Sequence, residues 1–277
     1  MMKLLDGMKV SEGISTNLAK ITGKLNLKLS IILVGKNPSS VVYVNAKKRK
    51  CNTLDIECDV VHFDNDVKEK KILEKIELLN NDRMVSGILV QLPLPSHLDT
   101  RKILDSVDIG KDVDGLNSYY LTKIFLNEEK IVPCTPKGVI TLLDYYKINL
   151  YGKRICILGF SNIVGKPLAA MCINRGGTVT ICNSKTKNIK EHTLRSDIIM
   201  SSVGKPKLVT KNMVSDGAIV VDIGFSKIKG KTYGDVDFNN VKEKCAYISP
   251  VPGGVGPMTI VSLIQNLILL KKLKDNF

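Results

Sequence analysis

The fold is decided by the segment Arg154-Ile-Cys-Ile-Leu-Gly-Phe-Ser-Asn-Ile-Val-Gly-Lys-Pro167, which predicts a strand, a glycine-bearing turn and a helix. Gly159 would allow the turn, and Gly165 would allow the strand and the helix to approach closely. The start of such a helix offers free N–H groups and a positive dipole end to a phosphate. The spacing is G-x-S-x-x-x-G and not the G-x-G-x-x-G fingerprint, so the segment fits either a dinucleotide-binding turn or an ordinary strand–helix turn.

The same alternation of strands and helices extends along the chain in both directions. Short apolar runs predict strands over Leu29–Val34, Ile56–His62, Val85–Val90, Arg154–Gly159, Thr178–Cys182, Asp197–Ser201, Ala218–Ile223 and Ala246–Ser249. Helical periodicity predicts helices over Val10–Leu25, Ser39–Asn52, Val67–Asn80, Pro136–Tyr146, Val164–Arg175 and Met258–Lys272. Continuous apolar strands that are each followed by a helix indicate a parallel sheet covered on both faces, and therefore a doubly wound α/β fold.

A change in composition around residues 108–135 predicts the connection between two lobes, because this region is rich in Asp, Asn, Lys and turn signals. We expect an N-terminal α/β lobe over residues 1–135 and a Rossmann-like, dinucleotide-binding lobe over residues 136–257. The C-terminal helix, residues 258–277, is expected to pack back on the first lobe. Thr135-Pro136 fits a helix N-cap followed by proline at the first helical position.

Composition narrows the classes of function. The chain has 277 residues, is 44% apolar and carries a formal net charge of +14. A positive field favours anionic partners such as nucleic acid, phosphates or polycarboxylates. The alternative is that the abundance of Lys and Asn reflects only the base composition of the source genome. The chain has no Trp and no arginine-rich tail, and its aromatic residues are not interleaved with basic ones, which argues against nucleic acid.

The seven cysteines are scattered without a C-x-x-C motif, which indicates a reducing compartment and no structural disulfides. The three histidines are isolated, so we expect no metal. The N-terminal residues are too short and polar a stretch for a signal peptide, and no apolar run reaches the roughly 18 residues that a membrane span needs. We therefore expect a cytoplasmic protein without membrane contact.

The segment Tyr43-Val-Asn-Ala-Lys47 supplies an aromatic ring and an amine. Ser39 is the expected N-cap of its helix, and Tyr43 and Lys47 then lie at positions i and i+4 on one face. A flat heterocycle could lie on Tyr43 while Lys47 reaches its edge. The alternative is a core tyrosine beside a solvated basic run, since such pairs are common on helices.

Two further segments, Gln91-Leu-Pro-Leu-Pro95 and Lys111-Asp-Val-Asp-Gly115, supply an amide and two carboxylates. Asp112 and Asp114 would share a face of an extended segment. They are compatible with a general base, a recognition clamp or metal ligands, of which the metal is the weakest option without a neighbouring histidine.

Later strand ends favour a cofactor. The tip Asn183-Ser-Lys-Thr186 has no acidic residue, which favours the 2′-phosphate of NADP over a free ribose. Ser201-Ser-Val-Gly204 and Val221-Asp-Ile-Gly-Phe225 end strands on the side where a nicotinamide would lie. Pro250-Val-Pro-Gly-Gly-Val-Gly-Pro257 predicts either a ligand loop or a rigid hinge.

With these segments, the chain resembles the methylenetetrahydrofolate dehydrogenase/cyclohydrolase family. Seven segments match in the family's order and cover essentially the whole chain: Tyr43–Lys47, Gln91–Pro95, Lys111–Gly115, Pro133–Pro136, Ser161–Pro167, Gly234–Phe238 and Pro250–Thr259. The resemblance implies a two-lobe enzyme of one-carbon metabolism, usually a homodimer, with the folate between the lobes. It implies hydride transfer from 5,10-methylenetetrahydrofolate to NADP, followed by hydrolysis of the 5,10-methenyl product to 10-formyltetrahydrofolate.

The resemblance also implies roles for single residues. Tyr43 would stack on the folate, Lys47 would handle the protons of hydrolysis with Gln91 tuning it, and Asp114 would hold the pterin. Further residues would bind the folate (Pro252, Gly253 and Gly256) or the cofactor (Gly159, Phe160, Ser161, Ser184, Lys185 and Phe225). An amine among basic neighbours that faces a cationic substrate should have a lowered pKa, which suits proton transfer.

The chain departs from the family's pattern near the cofactor. Phe160 stands where the family usually has Arg, Asn183 where His is common, and Phe225 where a small aliphatic residue is usual. NADP remains the expected cofactor, with NAD possible. The alternatives are a dehydrogenase-only enzyme that uses NAD, which the presence of Lys47 argues against, and a basic nucleic-acid-binding protein.

Overall fold

The computed structural model describes residues 2–228 and 230–275. In chain order its helices are α1 (Gly7–Thr22), α2 (Pro38–Thr53), α3 (Glu69–Asn81), α4 (Thr100–Asp105), α5 (Ser118–Phe125), α6 (Cys134–Tyr145), α7 (Gly165–Asn174), α8 (Ile189–Leu194), α9 (Phe238–Val241) and α10 (Val255–Asp275). Its strands are β1 (Lys3–Leu4), β2 (Lys28–Val34), β3 (Glu57–Phe63), β4 (Gly87–Val90), β5 (Arg154–Leu158), β6 (Thr178–Cys182), β7 (Ile198–Ser201), β8 (Ala218–Asp222), β9 (Ser226–Ile228), β10 (Lys231–Tyr233) and β11 (Cys245–Ile248). All eight predicted strands are present, and the α/β fold is confirmed. The last two residues of the predicted C-terminal helix, 276 and 277, lie outside the described residues.

The chain divides into two compact units. The three-stranded unit comprises Gly13–Lys123, Glu129–Cys134 and the chain from Ile260 onward. The six-stranded unit comprises the chain up to Glu12, Ile124–Glu128 and Thr135–Thr259.

The three-stranded unit is built on a parallel sheet of order β3-β2-β4. Alternate residues of the central strand enter different clusters: Leu29 and Ile31 pack in one, and Ile32 in the other. The strand is therefore buried on both faces, as its continuous apolar sequence predicted. Leu263 and Leu267 of α10 join the cluster of Leu29 and Ile31, so the last helix packs on this unit, as predicted.

The six-stranded unit contains a wholly parallel sheet of order β1-β11-β8-β7-β5-β6 and an antiparallel hairpin, β9–β10. From β5 the chain passes to β6 on one side and then to β7 on the other. The strand order thus reverses at β5, and ligands of such sheets bind beyond the carboxyl ends of the strands at this point. The turn after β5 is the segment on which the predicted fold rested.

The structure differs from the expectations at several places. Asn37, and not Ser39, is the N-cap of α2: its side chain accepts from the N–H groups of Ser39 and Ser40 at 3.0 and 3.2 Å. Pro38 then occupies the first turn, so the N-cap lies two residues earlier than predicted. Helix α6 begins at Cys134, so Thr135 lies inside it and is not its cap.

The N-terminal residues group differently from the proposed lobe of residues 1–135. Lys3 and Leu4 form β1, which pairs with Tyr247 and Ile248 of β11 at the edge of the six-stranded sheet. A two-residue strand carries too little pattern to be recognised, and its partner lies at the other end of the chain. All seven cysteines lie within the described residues, and none of them forms a disulfide. Within residues 2–228 and 230–275, no helix is long and apolar enough to cross a bilayer.

Candidate active site

A buried lysine and a glutamine meet in the three-stranded unit. Lys47 is only 7% exposed on the inner face of α2, and its Nζ donates a 3.0 Å hydrogen bond to Oε1 of Gln91. Gln91 directly follows β4, and its Nε2 donates to the carbonyl of Leu92 at 2.7 Å. That second bond turns the amide oxygen of Gln91 towards the amine. The two residues predicted from separate segments are thus brought together.

The environment of Lys47 changes its acidity. Burial lowers the pKa of the Lys47 ammonium, while Asp114, Cys134 and Cys51 act in the opposite direction. The net effect is a lowered pKa, because removal from water disfavours the charged form. An amine of this kind can take up and release a proton nearer neutral pH than an exposed lysine can.

Tyr43 lies one helical turn before Lys47 and is half-buried. Burial raises the pKa of its phenol to about 12, so the side chain stays neutral across the physiological range. The aromatic ring and the amine that were predicted to lie one turn apart on one helix are thus both found on α2.

The two neighbouring aspartates lie in different environments. Their segment is a bend and not the extended stretch that was predicted, because Oδ1 of Asp112 accepts from the N–H groups of Asp114 and Gly115 at 3.1 and 3.0 Å. Oδ2 of Asp112 accepts from Asn117 N at 2.8 Å, and burial raises the pKa of Asp112 to about 6. Asp112 thus holds the bend, whereas Asp114 is partly exposed. Among the described residues, no group of three or more His, Cys, Asp or Glu side chains could hold a metal ion.

The bend that carries Asp114 is fixed by a residue that sequence reasoning missed. Asn266 of α10 is fully buried, and its Nδ2 donates to the carbonyls of Val113 and Val132, both at 3.0 Å. A buried amide that bonds two loop carbonyls ties both loops to the last helix. Nothing local marked this asparagine, since its partners lie more than a hundred residues away.

A cavity of about 720 Å³ lies in the six-stranded unit at the ends of β5 and β6. It is lined by five of the six residues predicted to bind a cofactor: Gly159, Phe160, Ser161, Ser184 and Lys185. Ser202, from the strand end Ser201–Gly204 that was expected on the nicotinamide side, also lines it, as does Lys205, which was not predicted. Phe225 follows β8 and is not among the lining residues, so its role stays a prediction. No lining residue is acidic, which suits an anionic ligand.

The turn after β5 has the close approach that its glycines predicted. Gly159 has a φ of +113°, and a Cβ there would lie 2.7 Å from Oγ of Ser202. A Cβ at Gly165 would collide with the carbonyl oxygen of Gly159. The N–H groups expected to be free for phosphate are partly used, because Oγ of Ser161 accepts from Val164 N and Gly165 N at 3.1 and 3.4 Å.

Phe160 is 51% exposed at the cavity, and Nζ of Lys166 lies 4.4 Å from the centre of its ring. The ring therefore holds a cation close to the position where a basic residue was expected. On the opposite loop, Lys185 N donates to Oδ1 of Asn183 at 2.8 Å, and Asn183 N donates to Oγ1 of Thr186 at 2.9 Å. This loop is ordered by its own side chains.

The predicted folate loop belongs to the six-stranded unit. Gly253 has a φ of +104°, and its carbonyl accepts from Met8 N at 3.0 Å, which anchors the loop to the start of α1. Pro252 is exposed, as a ligand-contacting loop requires. Gly256 is half-buried in the first turn of α10, where a Cβ would meet no atom within 4 Å beyond its chain neighbours and its own helix backbone.

Comparison with known proteins agrees with this geometry. A family model for the catalytic domain of tetrahydrofolate dehydrogenase/cyclohydrolase matches residues 5–114, and the model for the NAD(P)-binding domain of the same family matches residues 133–275. The bifunctional protein FolD of Nautilia profundicola is 46% identical over 277 residues, which cover 98% of each chain.

Solved structures agree over the full length. The bifunctional FolD methylenetetrahydrofolate dehydrogenase/cyclohydrolase of Campylobacter jejuni has a TM-score of 0.96 and 42% identity, covering 99% of this chain and all of that one. The FolD enzyme of Trypanosoma brucei, solved with NADP cofactor and inhibitor, has a TM-score of 0.95 and 32% identity, covering 100% of this chain and 99% of that one. Matches of this extent to both halves and to the whole confirm the resemblance seen in the sequence: the chain belongs to the tetrahydrofolate dehydrogenase/cyclohydrolase family.

Proposed function

We propose that the protein is a bifunctional enzyme that oxidises 5,10-methylenetetrahydrofolate with NADP and hydrolyses the 5,10-methenyl product to 10-formyltetrahydrofolate. The observation that carries the proposal is the buried amine of Lys47 bonded to Oε1 of Gln91. Hydride transfer alone has no need of such an amine, whereas hydrolysis must move protons.

In hydrolysis, water adds to the methenyl carbon, and the bond from that carbon to the ring nitrogen N5 then breaks. One proton of the water is released and the other ends on N5, while the formyl group stays on N10. Lys47 carries these protons, because its lowered pKa makes both the amine and the ammonium accessible. Gln91 fixes the direction of the amine through its amide oxygen.

Folate binding is proposed to rest on two further side chains of the same unit. Tyr43 supplies a neutral aromatic face one turn from Lys47, on which the pterin or aryl ring can stack. Asp114 supplies a carboxylate that can accept two hydrogen bonds, from a pterin amino group and the adjacent ring N–H. Pro252, Gly253 and Gly256 are proposed to contact the folate from their loop.

The cofactor is proposed to occupy the 720 Å³ cavity. The fit rests on the absence of acidic lining residues, on the ammonium groups of Lys185 and Lys205, and on Gly159, where no side chain blocks the backbone. A bound NADP would supply the hydride acceptor. The protein is proposed to contribute alignment, with Ser161 and Ser184, which both line the cavity, holding phosphate and ribose oxygens.

A dehydrogenase-only enzyme that uses NAD is the second candidate, and Phe160 is the observation that favours it. An apolar ring lines the cavity where a cation would recognise the 2′-phosphate. The two candidates are separated by supplying 5,10-methylenetetrahydrofolate with each cofactor and following methenyl absorbance. Appearance followed by enzyme-dependent decay, faster with NADP, is expected. Appearance without enzyme-dependent decay, and with NAD preferred, would contradict the proposal.

We also propose that the enzyme is a homodimer and works in the cytoplasm. The dimer rests on the family resemblance, and the compartment rests on seven cysteines that form no disulfide. Sedimentation equilibrium at micromolar concentration tests the dimer, with a mass of one chain as the contradicting result.

A further inference from the structure

Two aspartates that none of the proposed steps uses are buried in the six-stranded unit. Asp235 is fully buried and Asp222, the last residue of β8, is 3% exposed. Buried carboxylates are costly unless hydrogen bonds replace their hydration. What these carboxylates bond to therefore indicates what they are for.

Asp235 bonds to the segment Ser201–Lys205. Its Oδ2 accepts from Oγ of Ser201 at 2.8 Å and from Val203 N at 2.6 Å, and its Oδ1 accepts from Lys205 N at 2.8 Å. Gly204, which lies between the two backbone donors, has a φ of +77°, so the chain turns around the carboxylate. One side chain thus sets the conformation of the whole segment.

The segment held in this way is a wall of the dinucleotide cavity. Ser202, Val203 and Lys205 all line the cavity. Asp235 lies beneath them, and its bonds to Val203 N and Lys205 N direct those two N–H groups inward. What the wall offers to a ligand therefore depends on a carboxylate that is itself buried.

Asp222 fixes Asp235 in turn. Its Oδ1 accepts from Asp235 N and Gly224 N at 2.9 and 3.0 Å, and its Oδ2 accepts from Val236 N at 2.9 Å. A Cβ at Gly224 would collide with the carboxylate of Asp235, and one at Gly234 would collide with that of Asp222. The two carboxylates are thus enclosed with no room for a further methyl group.

We propose that Asp235 is a positioning residue for dinucleotide binding, whose carboxylate holds the cavity wall Ser201–Lys205 in the conformation that receives the cofactor. The inference rests on the proposed function, because it takes the cavity to be the NADP site. Asparagine cannot replace the aspartate, since its amide offers one acceptor oxygen to three donors and turns an NH₂ group towards the others.

The test compares Asp235→Asn with Asp237→Asn, a matched control that makes the same change in charge two residues along. Asp237 bonds to Asn240 and lies 3.7 Å from Lys207, away from the wall. NADP affinity is measured by titration calorimetry, because the chain has no Trp to report binding. Hydrolysis of added methenyltetrahydrofolate is measured without cofactor.

We expect Asp235→Asn to raise the NADP Kd about 10- to 100-fold, because buried donors lose their acceptor. Hydrolysis should stay within about twofold of wild type, because the proposed proton-handling residues, Lys47 and Gln91, lie in the three-stranded unit and Asp235 bonds to neither of them. Asp237→Asn should match wild type in both measurements. Ser201→Ala, a milder change that removes one of the three donors, should raise the NADP Kd about 3- to 10-fold.

An unchanged NADP Kd in folded Asp235→Asn overturns the proposal, and so does an equal loss of hydrolysis and NADP binding. If Asp235→Asn does not fold, Ser201→Ala decides, and wild-type NADP affinity in that variant overturns the proposal. Failure of the wild-type enzyme to bind NADP would instead refute the proposed function.

Discussion

Replacing Lys47 by Met is the sharpest test of the proposed hydrolysis. Methionine has a similar length and no titratable group, so it fills the same buried space on α2. The change removes the proton carrier and leaves Oε1 of Gln91 without its 3.0 Å donor. Positioned proton transfer contributes roughly 10²- to 10⁴-fold to a rate, so kcat for hydrolysis should fall by at least about 100-fold.

The assay follows the loss of methenyl absorbance after addition of 5,10-methenyltetrahydrofolate to the enzyme, with the uncatalysed rate subtracted. Lys48→Met is the matched control, because Lys48 is exposed on the same helix. That variant should hydrolyse at the wild-type rate. Hydrolysis by Lys47→Met within a few-fold of wild type would refute the assignment, because no general acid–base role could then rest on this amine.

Stability supplies an independent readout of the same substitution. Burial lowers the pKa of Lys47 from its usual 10.5, so the unfolded chain binds more protons than the folded protein between the two pKa values. The contribution of this group to the free energy of unfolding therefore rises with pH through that window. Lys47→Met should flatten the rise relative to wild type in urea unfolding, and an unaltered slope would show that the amine is not desolvated.

Four other predictions concern the substrate, the cofactor and stability. Asp114→Ala should weaken folate binding in both reactions by about 2–5 kcal/mol, measured as kcat/KM, and unchanged kinetics would exclude it as the pterin anchor. Phe160→Arg should strengthen NADP binding by about 1–3 kcal/mol in calorimetry without a matching gain for NAD, and equal gains would place the 2′-phosphate elsewhere. Gly165→Ala should lower the free energy of unfolding by about 1–3 kcal/mol, because the added methyl group collides with the carbonyl of Gly159. Gly13→Ala is the control and should not lower it, because the new methyl group meets open space. Equal effects of the two variants in thermal unfolding would contradict the close approach at Gly165. Burial raises the pKa of Asp222 to about 7, so between about pH 4 and 7 the folded protein binds more protons than the unfolded chain. The free energy of unfolding should therefore fall as the pH rises through this window, and it should fall less steeply in Asp222→Asn than in wild type. Urea unfolding at pH 5 and pH 7 measures the difference, and equal slopes would contradict it.

The eight longer strands were predictable because each contains a short apolar or β-branched run whose pattern is local. The short strands β1, β9 and β10 were not, since two or three residues form a strand only when a partner is present. The pairing of Lys3 with Tyr247 has no trace in the sequence around either residue. Local rules also misplaced the cap of α2, because Ser39 and Asn37 both suit that position and Pro38 decides between them.

The residues of the candidate site also divide into those that a local pattern or the resemblance indicates and those that depend on contacts distant in the sequence. Helix spacing alone paired Tyr43 with Lys47, whereas only the resemblance joined Gln91 to them, since no local rule connects the two segments. Asn266 was missed, and Asp235 appeared only within the matching segment Gly234–Phe238 without a role, because both bond to backbone groups far away in the sequence. Such residues resemble ordinary helix and loop residues until the chain is folded.

The strand β1, at the start of the chain, belongs to the six-stranded unit, whose other strands all come from the second half of the sequence. The helix α10, at the end of the chain, packs in the three-stranded unit, which is built mostly from the first half. A ribosome releases the three-stranded unit long before Leu263 and Leu267, so its core stays open until the last helix emerges. In the six-stranded sheet the order is reversed, because β1 is synthesised first and its partner β11 is synthesised last among the strands. A chain cut near residue 135 would thus yield two fragments that each lack a part made at the other end. We therefore expect the two fragments to fold when they are mixed, and neither fragment to fold when it is expressed alone.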